Sequence, residues 1–248
     1  VLGGSPTGLS TMWVPLIFLG IDIMVKEKKI SGSMLAGISL YLSSWSDIHV
    51  TFFSSLAIPV WIFFVLCFHT NEIKLLFKDQ IAIKKLTKAF IFFLPFAFLL
   101  WLQSTIIKSG LKDTTIIQQG RTMHEILLGS PEYTGFFCKG RDGVNSQIYI
   151  GVIFIVLISL LTLTAILQYK KVNKSVFSLF IISLIISIIT VLLALGPKMP
   201  YGEKTWPLIT KIIPPYKMIR QPAKIFIIAP IFMGLVSVSY THLTLPRS

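Results

Sequence analysis

Apolar runs of 17 residues or more recur along this chain, several of them closed by a short block of lysines. Wound as an α-helix at about 1.5 Å per residue, a run of that length reaches across most of the roughly 30 Å hydrocarbon core of a bilayer. The runs fall at about residues 9–25, 30–46, 49–68, 89–107, 148–169 and 176–195, with a seventh, 225–238, cut short by the residues that follow. Their length and lack of period-two alternation predict an all-α fold, a polytopic transmembrane helix bundle of about seven spans. Charged residues make up 13% of the chain, about half the share in a soluble domain, so most of it does not face water.

The formal net charge is +13. In a soluble protein that balance would point to nucleic acid. Here the lysines stand between apolar runs, which assigns them to membrane orientation and to anionic lipid head groups, with no nucleic-acid partner. The segments 26–31, 69–88 and 170–174 hold eleven Lys and Arg in about 31 residues, whereas the segments on the other side spread eleven over about 70. The denser side is expected to be cytoplasmic. That places the loops 108–147 and 196–224 outside, in what the pattern suggests is a prokaryotic plasma membrane. A weakly amphipathic stretch at 73–86 is expected to lie on the membrane surface, and Pro95 to kink the following span.

Both ends carry expectations of their own. The chain opens at Val1 without a signal-peptide start, and residues 239–248 interrupt an apolar run and resemble translated adapter sequence. The expectation is a piece of a longer protein with a non-native tail at 239–248, in which His242 and Arg247 have no role. Cys67 falls in a span and Cys138 in a loop, so no disulfide is expected, and neither has metal-ligand spacing.

Ionisable residues are almost absent from the spans. Asp22 is the exception, one turn from the lysines at 26–29. Coupled transporters use midplane carboxylates or broken helices, so chemistry is expected at the outer interface instead. Asp47, at the outer end of the second span beside His49, is a candidate for binding a metal or activating an acceptor hydroxyl, set against a role as helix cap. In the loop 108–147, Glu125 and His124 are candidate bases among Asp113, Arg121, Glu132, Lys139, Arg141 and Asp142, set against a merely solvated loop. The loop 196–224 contains six prolines and reads as stiffened, non-helical or broken. Its Lys211, Lys217, Arg220 and Lys224 are interleaved with apolar residues. Arg220 suits a bidentate phosphate contact, with Lys217 and Lys224 adding point charge; the bland alternative is an aromatic belt with snorkelling cations. No phosphate loop, dinucleotide fingerprint, HExxH or nucleophile elbow occurs.

The pattern Leu195-Gly196-Pro197, then Pro215-Tyr216-x-x-Ile219-Arg220-x-Pro222-x-Lys224 opening a span, resembles the multi-spanning proteins of the GT-C glycosyltransferase superfamily, particularly the YfhO-like group. Trp13-Val14-Pro15-Leu16, and Arg121-Thr122-x-x-Glu125 leading to Ile148-Tyr149-Ile150-Gly151, are similar to the same group, and the likeness touches most of 9–237. The resemblance implies transfer of a sugar from a polyprenyl-phosphate donor to a glycan, polymer or protein acceptor on the outer membrane face. It gives Arg220 and Lys224 a lipid-phosphate role. It places the principal acidic residue in an earlier outer loop, so no catalytic base transfers to a residue here and the piece alone is expected to be inactive. No cofactor is evident, although a divalent metal in the full-length protein fits such chemistry. The alternatives are a permease or lipid flippase, and a non-catalytic membrane scaffold.

Overall fold

The computed structural model describes residues 10–68, 79–110, 112, 120–138, 145–167 and 174–244. Every regular element among them is helical. In chain order these are α1 (Val14–Asp22), α2 (Ile30–Ser46), α3 (Ile48–Phe68), α4 (Gln80–Gly110), α5 (Met123–Leu128), α6 (Val152–Leu167), α7 (Lys174–Leu195), α8 (Gly202–Ile212) and α9 (Ala229–Thr244), with short 3-10 turns between several. Two helical stretches, Gln80–Gly110 and Leu179–Lys198, are long and apolar enough to cross a membrane; Ile48–Phe63, Val152–Thr164 and Pro222–Val236 are shorter apolar helices. Lys74, Lys78, Asp113, Lys139, Arg141, Asp142, Lys170 and Lys171 lie outside the described residues.

The chain divides into two compact units, Val1–Ser109 and Gly110–Ser248. In the first unit, α1 and α2 cross backbone to backbone. A Cβ placed on Gly20 would stand 2.5 Å from the Ala36 amide nitrogen, and one on Gly32 would meet the Met24 amide. Small residues at a crossing let helices interlock where lipid supplies no hydrophobic drive. Around it lie the buried Val14, Ile17, Ile21, Phe53 and Phe18, whose ring meets Trp61 edge-on at 5.4 Å. A π-helical turn, Ile23–Glu27, closes α1, and Lys28 reverses the chain at φ 56°.

Two boundaries differ from the sequence-based expectation. The fourth span, expected at 89–107, is a single 31-residue helix that absorbs residues 80–88. The Asp79 carboxylate accepts from the Ile81 amide at 2.9 Å and caps the new start, so Lys84, Lys85 and Lys88 ride on the helix. Phe96 fills the hollow over Gly37, yet Leu94, Phe98 and Trp101 on the same helix are exposed, at 58%, 58% and 62%. An apolar surface of that extent is the kind that lipid or a partner covers. The seventh span, expected at 225–238, opens three residues earlier as a 3-10 stretch, Pro222–Ile228, and becomes α-helical only at Ala229, in α9, which runs through residues 239–244 of the suspected tail.

In the second unit α7 packs along α9, with Phe180 and Val236 fully buried between them and Ile181 and Leu184 alongside. Gly151, at φ 90°, marks the break between the 3-10 turn Asn145–Ile148 and α6.

Candidate functional site

The loops on either side of α6 and α7 fold together into one layer. The Arg121 amide donates to the Lys217 carbonyl at 2.7 Å, joining the start of the first loop to the middle of the second. Gly120, at φ 77°, makes room for that contact: a Cβ there would lie 3.1 Å from the Lys217 Cβ. Further along, the Arg220 carbonyl sits where a Cβ on Gly129 would be. Gly196 at φ 59° is covered by Pro222 and the Ser130 hydroxyl, and Phe136 meets Phe226 at 5.9 Å. Lys198 approaches Glu132 at 3.9 Å. The first loop, for which candidate bases stand against mere solvation, is therefore half of a built surface, while its individual charges remain mostly exposed.

The proline-rich segment is not uniformly non-helical. α8 is an 11-residue α-helix despite Pro207. Proline deprives the Glu203 carbonyl of its partner; both residues are exposed, so water or head groups can replace it. Gly202, Trp206 and Thr210, at four-residue spacing, form the buried edge, and Trp206 meets Tyr216 edge-on at 5.5 Å. At about 100° per residue, Lys204, Leu208 and Lys211 lie opposite. Leu208 and Ile212 are 57% and 70% exposed. α8 starts four residues after Lys198, where the apolar stretch Leu179–Lys198 ends. Burial holds the Tyr216 phenol well above its ordinary value, so it stays protonated and is no base.

The sequence-predicted residues fall in two groups. Lys217, Arg220 and Lys224 all belong to the layer, the first two exposed and the third half-buried. Arg121 joins them; sequence reading gave it no role. Its guanidinium reaches Glu125 at 3.4 Å, and its Nε is buried without a hydrogen-bond partner. Glu125 is the third residue of α5 and completes a capping box: the Thr122 hydroxyl accepts from the Glu125 amide, and Glu125 Oε2 accepts from the Thr122 amide at 3.0 Å. That backbone hydrogen bond, helped by Arg121, holds the Glu125 carboxyl below the ordinary glutamate value. His124 is exposed beside it.

The other group lies in the first unit. Asp47 Oδ1 accepts from the His49 amide at 2.8 Å and lies 3.0 Å from His49 Nδ1, capping α3. Above it runs a seam of buried hydroxyls: Thr51 donates to Ser43 Oγ at 3.1 Å, and Ser10 meets Ser43 Oγ at 2.9 Å. Ser44 donates to Gln103 Oε1 at 2.7 Å, tying α2 to α4. Asp22 pairs with Lys26 at 2.7 Å. Among the described residues no three His, Cys, Asp or Glu side chains gather to hold a metal ion, and Cys138 is a free, exposed thiol.

Comparison with protein-family models, with curated proteins and with solved structures finds no match.

Proposed function

We propose that this chain is part of a membrane glycosyltransferase of GT-C type, in which the loop layer holds the phosphate of a polyprenyl-phosphate-linked sugar on the outer membrane face. In this reading the seven apolar runs all span, and the loops 108–147 and 196–224 are extracytoplasmic. A hydroxyl or amide of a glycan, polymer or protein acceptor attacks the anomeric carbon. The new bond forms as the bond to the phosphate oxygen breaks, the electron pair leaves on the lipid phosphate, and the acceptor proton passes to a base. Asp47 and Glu125 are occupied as helix caps, so the base is assigned to neither. No metal step is derived from these residues.

One observation carries the reading. The 2.7 Å bond from the Arg121 amide to the Lys217 carbonyl gathers cations from two distant loops into one layer, beside the end of an apolar helix. α8 supports it: an apolar edge of Leu208 and Ile212 flanked by Lys204 and Lys211 suits the boundary between acyl chains and head groups. Arg220→Ala in the intact protein is expected to abolish transfer from a lipid-linked donor while leaving insertion unchanged. Normal turnover by that variant would end the phosphate role. A scaffold would tolerate Arg220→Ala together with Lys224→Ala.

A further inference from the structure

Arg121 is held differently from the two exposed cations of the facing loop. Lys217 and Arg220 are exposed, whereas the Arg121 side chain is 25% exposed. A guanidinium with a buried donor is favourable only when that donor is paired in good geometry. Here it is not. Among the described residues Nε has no hydrogen-bond partner, and the one ionic contact, Nη1 to Glu125 Oε1, is 3.4 Å long. A well-made charge-assisted bond is about 2.7–2.9 Å, and a guanidinium prefers a two-pronged grip on its anion. Glu125 cannot provide one. Its Oε2 is committed to the Thr122 amide and hydroxyl, at 3.0 and 3.3 Å, as part of the cap of α5. Nor is Arg121 free to leave, because its own amide is fixed to the Lys217 carbonyl.

We propose that Arg121 is the group that grips the phosphate between the two loops, and that Glu125 is a placeholder that partly neutralises it until a phosphate arrives. The inference rests on the phosphate-binding reading above and adds the deciding residue to it. A phosphate oxygen pair supplies the fork that Glu125 does not, while Lys217 and Arg220 on the facing loop add charge. Glu125 keeps its capping bond throughout, so α5 need not unwind when the phosphate binds.

The test uses the chain in phosphatidylcholine nanodiscs and titrates a long-chain alkyl phosphate and, separately, inorganic pyrophosphate. Arg121→Lys keeps the charge and loses the fork; it is expected to weaken alkyl phosphate binding about tenfold. Glu125→Gln keeps the cap and removes the competing charge; it is expected to tighten binding several-fold. Saturable binding of pyrophosphate as well would assign the site to phosphate itself, and binding of the alkyl phosphate alone would assign it to a lipid-borne phosphate; both outcomes support Arg121 when the two variants shift as stated. Wild-type affinity in both variants, with Arg220→Ala still weakened, would overturn the Arg121 role and leave the phosphate site standing. No binding by the unaltered chain would overturn both. If Arg121→Lys melts far below the parent chain, Glu125→Gln alone decides, and unchanged affinity there overturns the proposal.

Discussion

The units at residues 1–109 and 110–248 treat their polar groups in opposite ways. In the first, several hydroxyls are buried between helices and pair with one another: Ser10, Ser43 and Thr51 form one chain of contacts, and Ser44 and Gln103 another, while the Ser33 and Ser54 hydroxyls are buried without a hydrogen-bond partner among the described residues. The helices close on each other through Gly20, Gly32 and Ala36. In the second, the charged groups sit in loops that are packed together by glycine and proline, and the cations stay open or poorly paired. A polar network that closes on itself fixes a packing arrangement. One that ends in exposed and under-paired cations is built to meet an anion. On the proposed reading, the contrast gives structure to the first unit and recognition to the second.

The contrast can be broken most forcefully in the first unit. Gly32→Leu would drive a side chain into the Met24 backbone and the opposing helix, and is expected to cost about 3 kcal/mol or more. Thermal unfolding in nanodiscs would show it as loss of the folded chain, and a melting point within a degree or two of the parent would mean that α1 and α2 do not cross there. Gly129→Ala strikes the second unit in the same manner, against the Arg220 carbonyl, at about 1–3 kcal/mol. Its specific sign is faster hydrogen exchange at the Arg121 amide, whose partner Lys217 belongs to the displaced loop.

Smaller effects sharpen the division. Asp47→Ala removes the cap of α3 and is expected to cost about 1 kcal/mol, with Asp47→Asn restoring most of it. Activity lost in a stable Asp47→Asn variant of the intact protein would instead give that carboxylate a chemical part. The smallest effect is one of pH. Because Glu125 titrates lower in the folded chain than when unfolded, its contribution to the α5 cap is fully present above the ordinary glutamate value and is lost as pH falls through the depressed one. Exchange protection at the Thr122 amide should therefore fade only in that acid window, and fading near neutrality would contradict the capping role.

Much of the fold was legible because apolar runs and helices share a simple length rule. The runs at 30–46 and 49–68 reappear almost residue for residue as α2 and α3. The continuity of residues 80–88 with the span was hidden because their lysines read as part of a separate surface stretch at 73–86, although Asp79 at the start is a recognisable cap. α8 was hidden by its prolines, yet its four-residue spacing of Gly202, Trp206 and Thr210 was present in the sequence. The site was legible only in part. Lys217, Arg220 and Lys224 stood out as cations in a stiff segment, but the pairing of residue 121 with residue 217 is a contact across nearly a hundred positions, and only the glycines at 120 and 129 hinted that another backbone comes close.

The depth of α8 tests the central claim most directly. A nitroxide at residue 208, attached through Leu208→Cys with Cys67 and Cys138 replaced by serine, would be compared in lipid nanodiscs for collisions with oxygen and with a water-soluble nickel complex. The account predicts a position just inside the phosphate level, favouring oxygen, with a label at Glu203 favouring nickel. Equal, water-like exposure at both positions would remove α8 and the loop layer from the membrane surface, and with them the reading of the second unit as a lipid-phosphate site.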